Sequence, residues 1–175
     1  MDATPEIEIA AITAAHIDGF HDALDAVARE RKYLTMLEAP PLPRIREFVL
    51  DMIDKRNPQL VAVCDGQVVG WCDIRRDFFP SHAHRGTLGM GIISAYRGRG
   101  VGRRLIYAAL EKASQERFIR IELSVHADNM PAIALYEKAG FISEGLHKHA
   151  VCIDERFIDA ITMAKILDTK RQPIS

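Results

Sequence analysis

Apolar and polar residues alternate at Ile7, Ile9 and, less regularly, Ile12, a period of two that predicts a first strand. The period then lengthens, because Thr13 can cap a helix whose apolar positions Ile17, Phe20, Leu24 and Val27 recur at helical spacing. Residues 35–43 hold Pro40, Pro41 and Pro43, and proline fixes φ and lacks a donor, so they predict a stiff loop. A second helix follows with Ile45, Phe48, Val49 and Met52 inward, and Asn57-Pro58 ends it. Residues 60–64 and 68–74 flank Asp65-Gly66, a two-residue turn signal, and read as a hairpin.

The second half changes character. A polar and aromatic connection over 78–85 leads into a strand at 87–93, which runs straight into a segment of alternating glycine and arginine. Leu105, Ile106, Ala109, Leu110 and Ala113 form the buried stripe of a helix from near Gly102 to about Arg117, and 119–125 reads as a short strand. Strand, helix and strand together predict a parallel, right-handed crossover. Another helix over 131–139, with proline in its first turn, stops at Gly140, and strands at 146–153 and 157–166 close the chain. Residues 7–167 read as a single domain with no internal repeat, and 168–175 as a flexible tail.

Composition narrows the class. A chain of 175 residues that is 48% hydrophobic can bury one core and is too small for two comfortable domains. Its 23 Lys and Arg nearly cancel 24 Asp and Glu, so no global field draws it to nucleic acid or to an anionic membrane. Cys64, Cys72 and Cys152 are odd in number, form no Cys-x-x-Cys pair and lie in apolar strand-like surroundings, which predicts three buried, reduced thiols. Residues 1–8 lack a basic region followed by an apolar run, and no apolar stretch approaches the roughly 18 residues that span a bilayer. The expectation is a soluble, cytoplasmic protein. His82-x-His84 and His147-x-His149 lack a cysteine or carboxylate at ligand spacing and read as solvated histidines, so no metal is expected.

Tyr96-Arg97-Gly98-Arg99-Gly100-Val101-Gly102-Arg103-Arg104 is the segment that points to chemistry. Glycine there lets the backbone take φ > 0 and lets a ligand approach closely, while a helix starting near Gly102 leaves its first N–H groups unpaired. Those donors, the positive end of the helix dipole and the arginines favour a phosphate. A Walker A loop needs Gly, four residues, then Gly-Lys and Ser or Thr, none of which follows Gly98. A dinucleotide site needs Gly-x-Gly-x-x-Gly, whereas Gly98, Gly100 and Gly102 run as Gly-x-Gly-x-Gly, and Glu122 lies inside a strand where the acidic partner should end one. By itself such a loop is also compatible with a plain tight turn.

Arg97-Gly98-Arg99-Gly100-Val101-Gly102 is similar to the Arg/Gln-x-x-Gly-x-Gly/Ala loop of the Gcn5-related N-acetyltransferase (GNAT) superfamily. The residues Arg120-Ile121-Glu122-Leu123-Ser124-Val125, then Asn129, Ala132-Ile133 and Leu135-Tyr136-Glu137-Lys138-Ala139-Gly140-Phe141 resemble its second cofactor segment at the expected separation. The likeness is good over 87–141 and looser over 7–166. It implies an α/β fold with a mixed, mostly antiparallel seven-stranded sheet, a splayed central parallel pair and about four helices. It also implies acetyl-coenzyme A as cosubstrate, its pyrophosphate on the backbone of Arg97, Gly98, Arg99, Gly100, Val101 and Gly102 with Arg103 beside them, and its pantetheine arm on Met90, Gly91 and Ile92. Asn129 would hydrogen-bond the cofactor, and Tyr136 would protonate the departing thiolate, a role suited to a phenol with an ordinary pKa near 10. Without the family pattern Tyr136 reads as a core tyrosine with its hydroxyl at the rim.

The activity so implied is transfer of an acetyl group to a primary amine of a small molecule or amino acid, by direct attack in a ternary complex and without a cysteine nucleophile. Gly145, Asp159 and Met163-Ala164 resemble members that act on small amines or amino acids. A non-catalytic acyl-coenzyme A binding module and a peptide or protein N-terminal acetyltransferase are the alternatives, and a homodimer through the late strands is compatible with the family. Glu38, Asp73, Glu122 and His126, acting directly or through water, stand unranked as the general base beside water itself, and 33–42 and 78–84 are the segments expected over the acceptor.

Overall fold

A computed structural model describes residues 6–167; the expected tail at 168–175 and the first five residues lie outside them. The chain order is β1 (Ile7–Ala11), α1 (Ile17–Arg29), α2 (Leu42–Asp54), β2 (Gln59–Cys64), β3 (Gln67–Arg76), β4 (Arg85–Ile92), α3 (Val101–Gln115), β5 (Arg120–His126), α4 (Met130–Lys138), β6 (Ile142–Ile153) and β7 (Arg156–Ile166). The strands form one seven-stranded sheet in the order β1-β2-β3-β4-β5-β7-β6. Only β4 and β5 pair in parallel, as a strand-helix-strand crossover requires.

Side chains alternate across the sheet, and this divides the core in two. On one face Trp71, Val61 and Val68 pack under the α1 and α2 residues Ile17, Phe20, Leu24, Ile45 and Val49. On the other, Cys72, Ile74, Leu88, Leu123 and Val125 pack under α3 and α4 through Leu105, Ile106, Ala109 and Ile133. Both faces are covered near the sheet centre, so β2 and β3 are apolar on both sides.

Several boundaries differ from the sequence pattern, each for a local reason. Thr13 opens a 3₁₀ turn, Ala14–His16, with its backbone N–H donating to His16 Nδ1 at 3.0 Å, and α1 starts only after that turn. Pro43 lies inside the first turn of α2 and not in the preceding loop, where its missing N–H would have had no helical partner anyway. β6 begins at Ile142, four residues early, because its outer positions are almost all exposed and show no alternation; β7 holds it through the ladder. Cys64 and Cys72 are buried as expected, but Cys152, on this exposed strand, is not.

The pair that matters for function is short. β4 and β5 are partnered only at Arg85 with Arg120, Gly86 with Ile121, and Thr87 with Glu122. Beyond those residues β4 stays with β3 as far as Ile92, and β5 stays with β7 as far as His126. The two strands therefore diverge and leave a gap whose facing edges have no ladder partner.

Close packing at the root of the gap makes a stability prediction. A Cβ on Gly86 would stand 2.6 Å from Ile74 Cγ2 and 2.7 Å from Phe118 Cε1, both side chains being fully buried. A Cβ on Gly89 would meet only Asp73 Oδ1 at 3.5 Å, an ordinary contact. Gly86→Ala should destabilise by about 1–3 kcal/mol and lower the melting temperature by several degrees. Gly89→Ala should stay within about 2 °C of wild type. Thermal unfolding of the two variants side by side checks the contrast.

Candidate active site

Strand geometry decides which backbone groups face the gap. The Ile93 N–H donates to the Val69 carbonyl at 3.0 Å, and the Asp77 N–H to the Arg85 carbonyl at 3.2 Å, so odd positions of β4 belong to the β3 ladder. By alternation, the N–H and C=O of Met90 and Ile92 point into the gap. Gly91 contributes differently. Its backbone faces β3, and a Cβ there would lie 2.3 Å from Trp71 Cη2, so the absent side chain is what lets the indole cover the strand.

At the end of β4 the glycine-rich loop delivers the chain to α3. Gly98 (φ 72°) and Gly100 (φ 75°) both take the left-handed conformation, and nothing lies within 4 Å of where their Cβ atoms would be. Gly100 is the N-cap of α3 and has no side chain with which to cap it. The first N–H groups of α3 are thus left to an outside acceptor. Val101 and Gly102 are buried, and Gly102 fits so closely that a Cβ would stand 3.1 Å from Ile92 Cδ1 and 3.2 Å from Leu135 Cδ2. Arg99 and Arg103 are exposed, lie over the rings of Tyr96 and Tyr107, and pair with no acid among the described residues. An open backbone cradle at a positive helix end, flanked by unpaired guanidinium groups, suits a diphosphate.

Arg97 has a different occupation. Its Nε donates to the Ile92 carbonyl at 2.8 Å, its two terminal nitrogens grip the Glu30 carboxylate, and its guanidinium lies 4.7 Å from the centre of the Tyr33 ring. The side chain therefore fastens the end of α1 and the loop after it to the mouth of the gap. Glu30 has no signal in the sequence, because only the fold brings it to Arg97.

Asn129 is the N-cap of α4, where its Oδ1 accepts the Ala132 N–H at 3.3 Å, which leaves its amide nitrogen for another partner. Tyr136 is about two turns further on, only 8% exposed, with its ring 5.9 Å from that of Phe141. Burial, and to a lesser degree the neighbouring Cys72, push the phenol well above its ordinary pKa. Its hydroxyl forms no hydrogen bond among the described residues.

The four candidate bases separate. Glu122 is tied to Arg85 Nη2 at 2.9 Å and to Arg120 Nε at 3.0 Å, at the paired root of the gap. Glu38 is exposed and accepts from Arg29 at 3.3 Å. His126 is buried at the end of β5 with Nδ1 donating to the Lys32 carbonyl at 2.8 Å. Asp73 has neither a hydrogen bond nor an ion pair among the described residues. It faces the same side of the sheet as Trp71, opposite Gly89, and part of its surface stays open because Gly89 offers no side chain to cover it. Protein surrounds the carboxyl closely enough that burial raises its pKa to about 7, with Arg75 opposing weakly.

Of the two segments expected over the acceptor, the first adjoins the gap through Tyr33. The second lies at the other end of β4, on the paired side, with Phe78 and Phe79 exposed and their rings 4.0 Å apart. His84, His147 and His149 are exposed, and among the described residues no group of three or more His, Cys, Asp or Glu could hold a metal ion.

Known proteins share this construction. An acetyltransferase of the GNAT family from Streptococcus pneumoniae superposes with a TM-score of 0.87 at 25% identity, covering 93% of this chain and all of that one. The YncA structure of Salmonella typhimurium, solved with its cofactor acetyl-CoA, has the same fold, with a TM-score of 0.88 over 97% of this chain and 98% of that one at 16% identity. The L-amino acid N-acetyltransferase AaaT of Escherichia coli is 38% identical over 109 residues, 62% of this chain and 67% of that protein. The sequence profile of the acetyltransferase (GNAT) family matches residues 22–141, which hold α2, the whole gap, the glycine loop, Asn129 and Tyr136. The chain therefore belongs to the acetyltransferase (GNAT) family.

Proposed function

We propose that the protein is an acetyl-coenzyme A-dependent N-acetyltransferase acting on the primary amine of a small molecule or amino acid. One observation carries this reading. The gap between β4 and β5 opens at one end onto an uncapped helix N-terminus, and burial raises two groups on opposite faces of the sheet, the Tyr136 phenol and the Asp73 carboxyl, the latter to about 7. AaaT, a relative named for L-amino acids, supports the acceptor class.

The residues fit the cofactor that the family implies. The loop N–H groups from Gly98 to Gly102 and the guanidinium groups of Arg99 and Arg103 would hold its diphosphate, and the Met90 and Ile92 backbones its extended arm; the Ile92 carbonyl is shared with Arg97. When bound, acetyl-coenzyme A supplies an acyl group activated as a thioester. Attack on it needs a neutral amine, and Asp73 can take the ammonium proton directly or through water because its pKa lies close to the working pH. Departure of the sulfur needs a proton, and Tyr136 keeps one because burial disfavours the phenolate. Neither step uses Cys64, Cys72 or Cys152 as a nucleophile.

Two variants test the assignment, read by coenzyme A thiol release over a panel of amines and free amino acids. Tyr136→Phe should lower kcat by about 10²-fold while acetyl-coenzyme A affinity stays within about threefold. Unchanged turnover would remove Tyr136 from the reaction, and a wild-type protein that binds the coenzyme but transfers to nothing would make this a binding module.

For wild type, kcat/KM should rise with pH and level off above about 7 as Asp73 ionises. Asp73→Asn should lower kcat/KM by at least about 10²-fold and abolish that inflection. Stability supplies an independent reading. The folded pKa is raised above the ordinary value of 3.8, so the favourable contribution is complete below that value and is lost as pH climbs through about 7. Asp73→Asn should therefore raise the melting temperature more at pH 8 than at pH 5, and an equal effect at both would contradict the buried carboxyl.

A further inference from the structure

Beside the gap, where β5 ends and α4 begins, is a cavity of about 300 Å³. Arg31, Lys32 and Tyr33 from the loop after α1 form one wall, Asp128 and Asn129 another, and Arg156 from the start of β7 a third. Tyr33 is the ring under Arg97, and Asn129 is the cap of the helix that carries Tyr136, so the cavity adjoins the cofactor machinery on two sides.

Its electrostatics are lopsided. Arg31 is neutralised by Asp154, which accepts from its Nε at 2.9 Å and from a terminal nitrogen as well. No carboxylate pairs with Lys32 or Arg156 among the described residues, and Asp128 is the only acid on the wall. The positive charge is also held in place. The Arg31 bridge ties the loop to the β6–β7 turn across the fold, and the Lys32 carbonyl accepts the His126 Nδ1 proton at 2.8 Å. Arg31 itself is kept at φ 55°, a conformation that costs a residue with a side chain and persists only where its surroundings impose it. Fixing the loop backbone this way presents the Lys32 side chain from an anchored position, which reduces the ordering cost of binding an anion. Tyr33, Pro131 and Ile158 supply the apolar part of the lining.

We propose that this cavity is the acceptor subsite, and that Lys32 and Arg156 bind the carboxylate of a free amino acid whose side chain lies against Tyr33, Pro131 and Ile158. The proposal rests on the transferase reading above and adds to it the feature of the acceptor that is recognised. A charged hydrogen bond of this kind favours the acid over its amide by about tenfold or more. A cavity of this size admits one amino acid with a medium apolar side chain.

The test compares L-leucine, L-methionine and L-phenylalanine with their amides, using wild type and the double variant Lys32→Gln/Arg156→Gln. Transfer is followed by thiol release, and binding to protein saturated with coenzyme A by calorimetry, which needs no turnover. Wild type should prefer at least one acid over its amide by about tenfold in kcat/KM and in affinity. The double variant, with an unchanged melting temperature, should bring that ratio to within about threefold, the loss falling on the acid's KM. Lys32→Arg in the Arg156 background should retain the preference. Equal use of acids and amides by wild type, a ratio that survives in the double variant, or a variant that loses affinity for acetyl-coenzyme A instead, would each overturn the subsite. Selective binding of acids that collapses in the variant, without any transfer, would keep the subsite and overturn the transferase. Neither binding nor transfer would overturn both.

Discussion

Three paired residues on each of β4 and β5 set the geometry of everything that follows. Parallel strands in a covered sheet ordinarily run alongside each other for their whole length, since each broken rung leaves a donor and an acceptor without a partner. Here the crossover helix holds the roots together, where Gly86 lets β4 close onto Phe118, while β3 and β7 pull the free ends to opposite sides. On the proposed reading, the backbone groups left on the facing edges form the binding surface. A ligand with an amide-bearing extended arm would complete the ladder that the fold leaves open, so affinity could come from main-chain groups with few side chains.

Arg97 shows how the same region is kept ready. The sequence motif suggests a phosphate ligand, and its backbone does belong to the cradle, yet its guanidinium is spent on Glu30, the Ile92 carbonyl and the Tyr33 ring. Buried or half-buried arginine pairs contribute modestly to net stability because desolvation offsets much of the attraction. What this one supplies is registry: it joins the end of α1 and the loop after it to the end of β4. The freely placed Arg99 and Arg103, exposed and resting on tyrosine rings, are the ones with charge to offer.

Local chemistry was well marked in the sequence. The helical stripes of α1 and α3, the Asp65-Gly66 turn, the αL glycines and the proline-rich entry to α2 are all decided within a few residues, and all stand close to where the pattern puts them. Anything fixed by distant contacts was illegible. β6 shows no alternation because it is an edge strand whose pairing comes from β7, and Cys152 is exposed for the same reason. Residues 78–84 look like an acceptor loop by their aromatic content, but topology sends them to the paired end of β4. Asp73, Glu122 and His126 are equivalent on paper, and only the partners the fold gives Glu122 and His126, and denies Asp73, distinguish them.

The contrast between Asp73 and Tyr136 depends on the sheet that separates them. Both groups have raised pKa values and burial is the leading cause in each, so the same low-dielectric environment would serve both proton transfers of the proposed reaction. Desolvation lifts a carboxyl from an unsuitably weak base to one matched to neutral pH, and lifts a phenol further into the range where it never loses its proton before it is needed. Glu122 differs in that its carboxylate oxygens are already occupied by Arg85 and Arg120. On the proposed reading, the lack of a partner for Asp73 among the described residues is what would make it usable as the base, and Gly89, by leaving the carboxyl uncovered on one side, would let an amine or a water reach it.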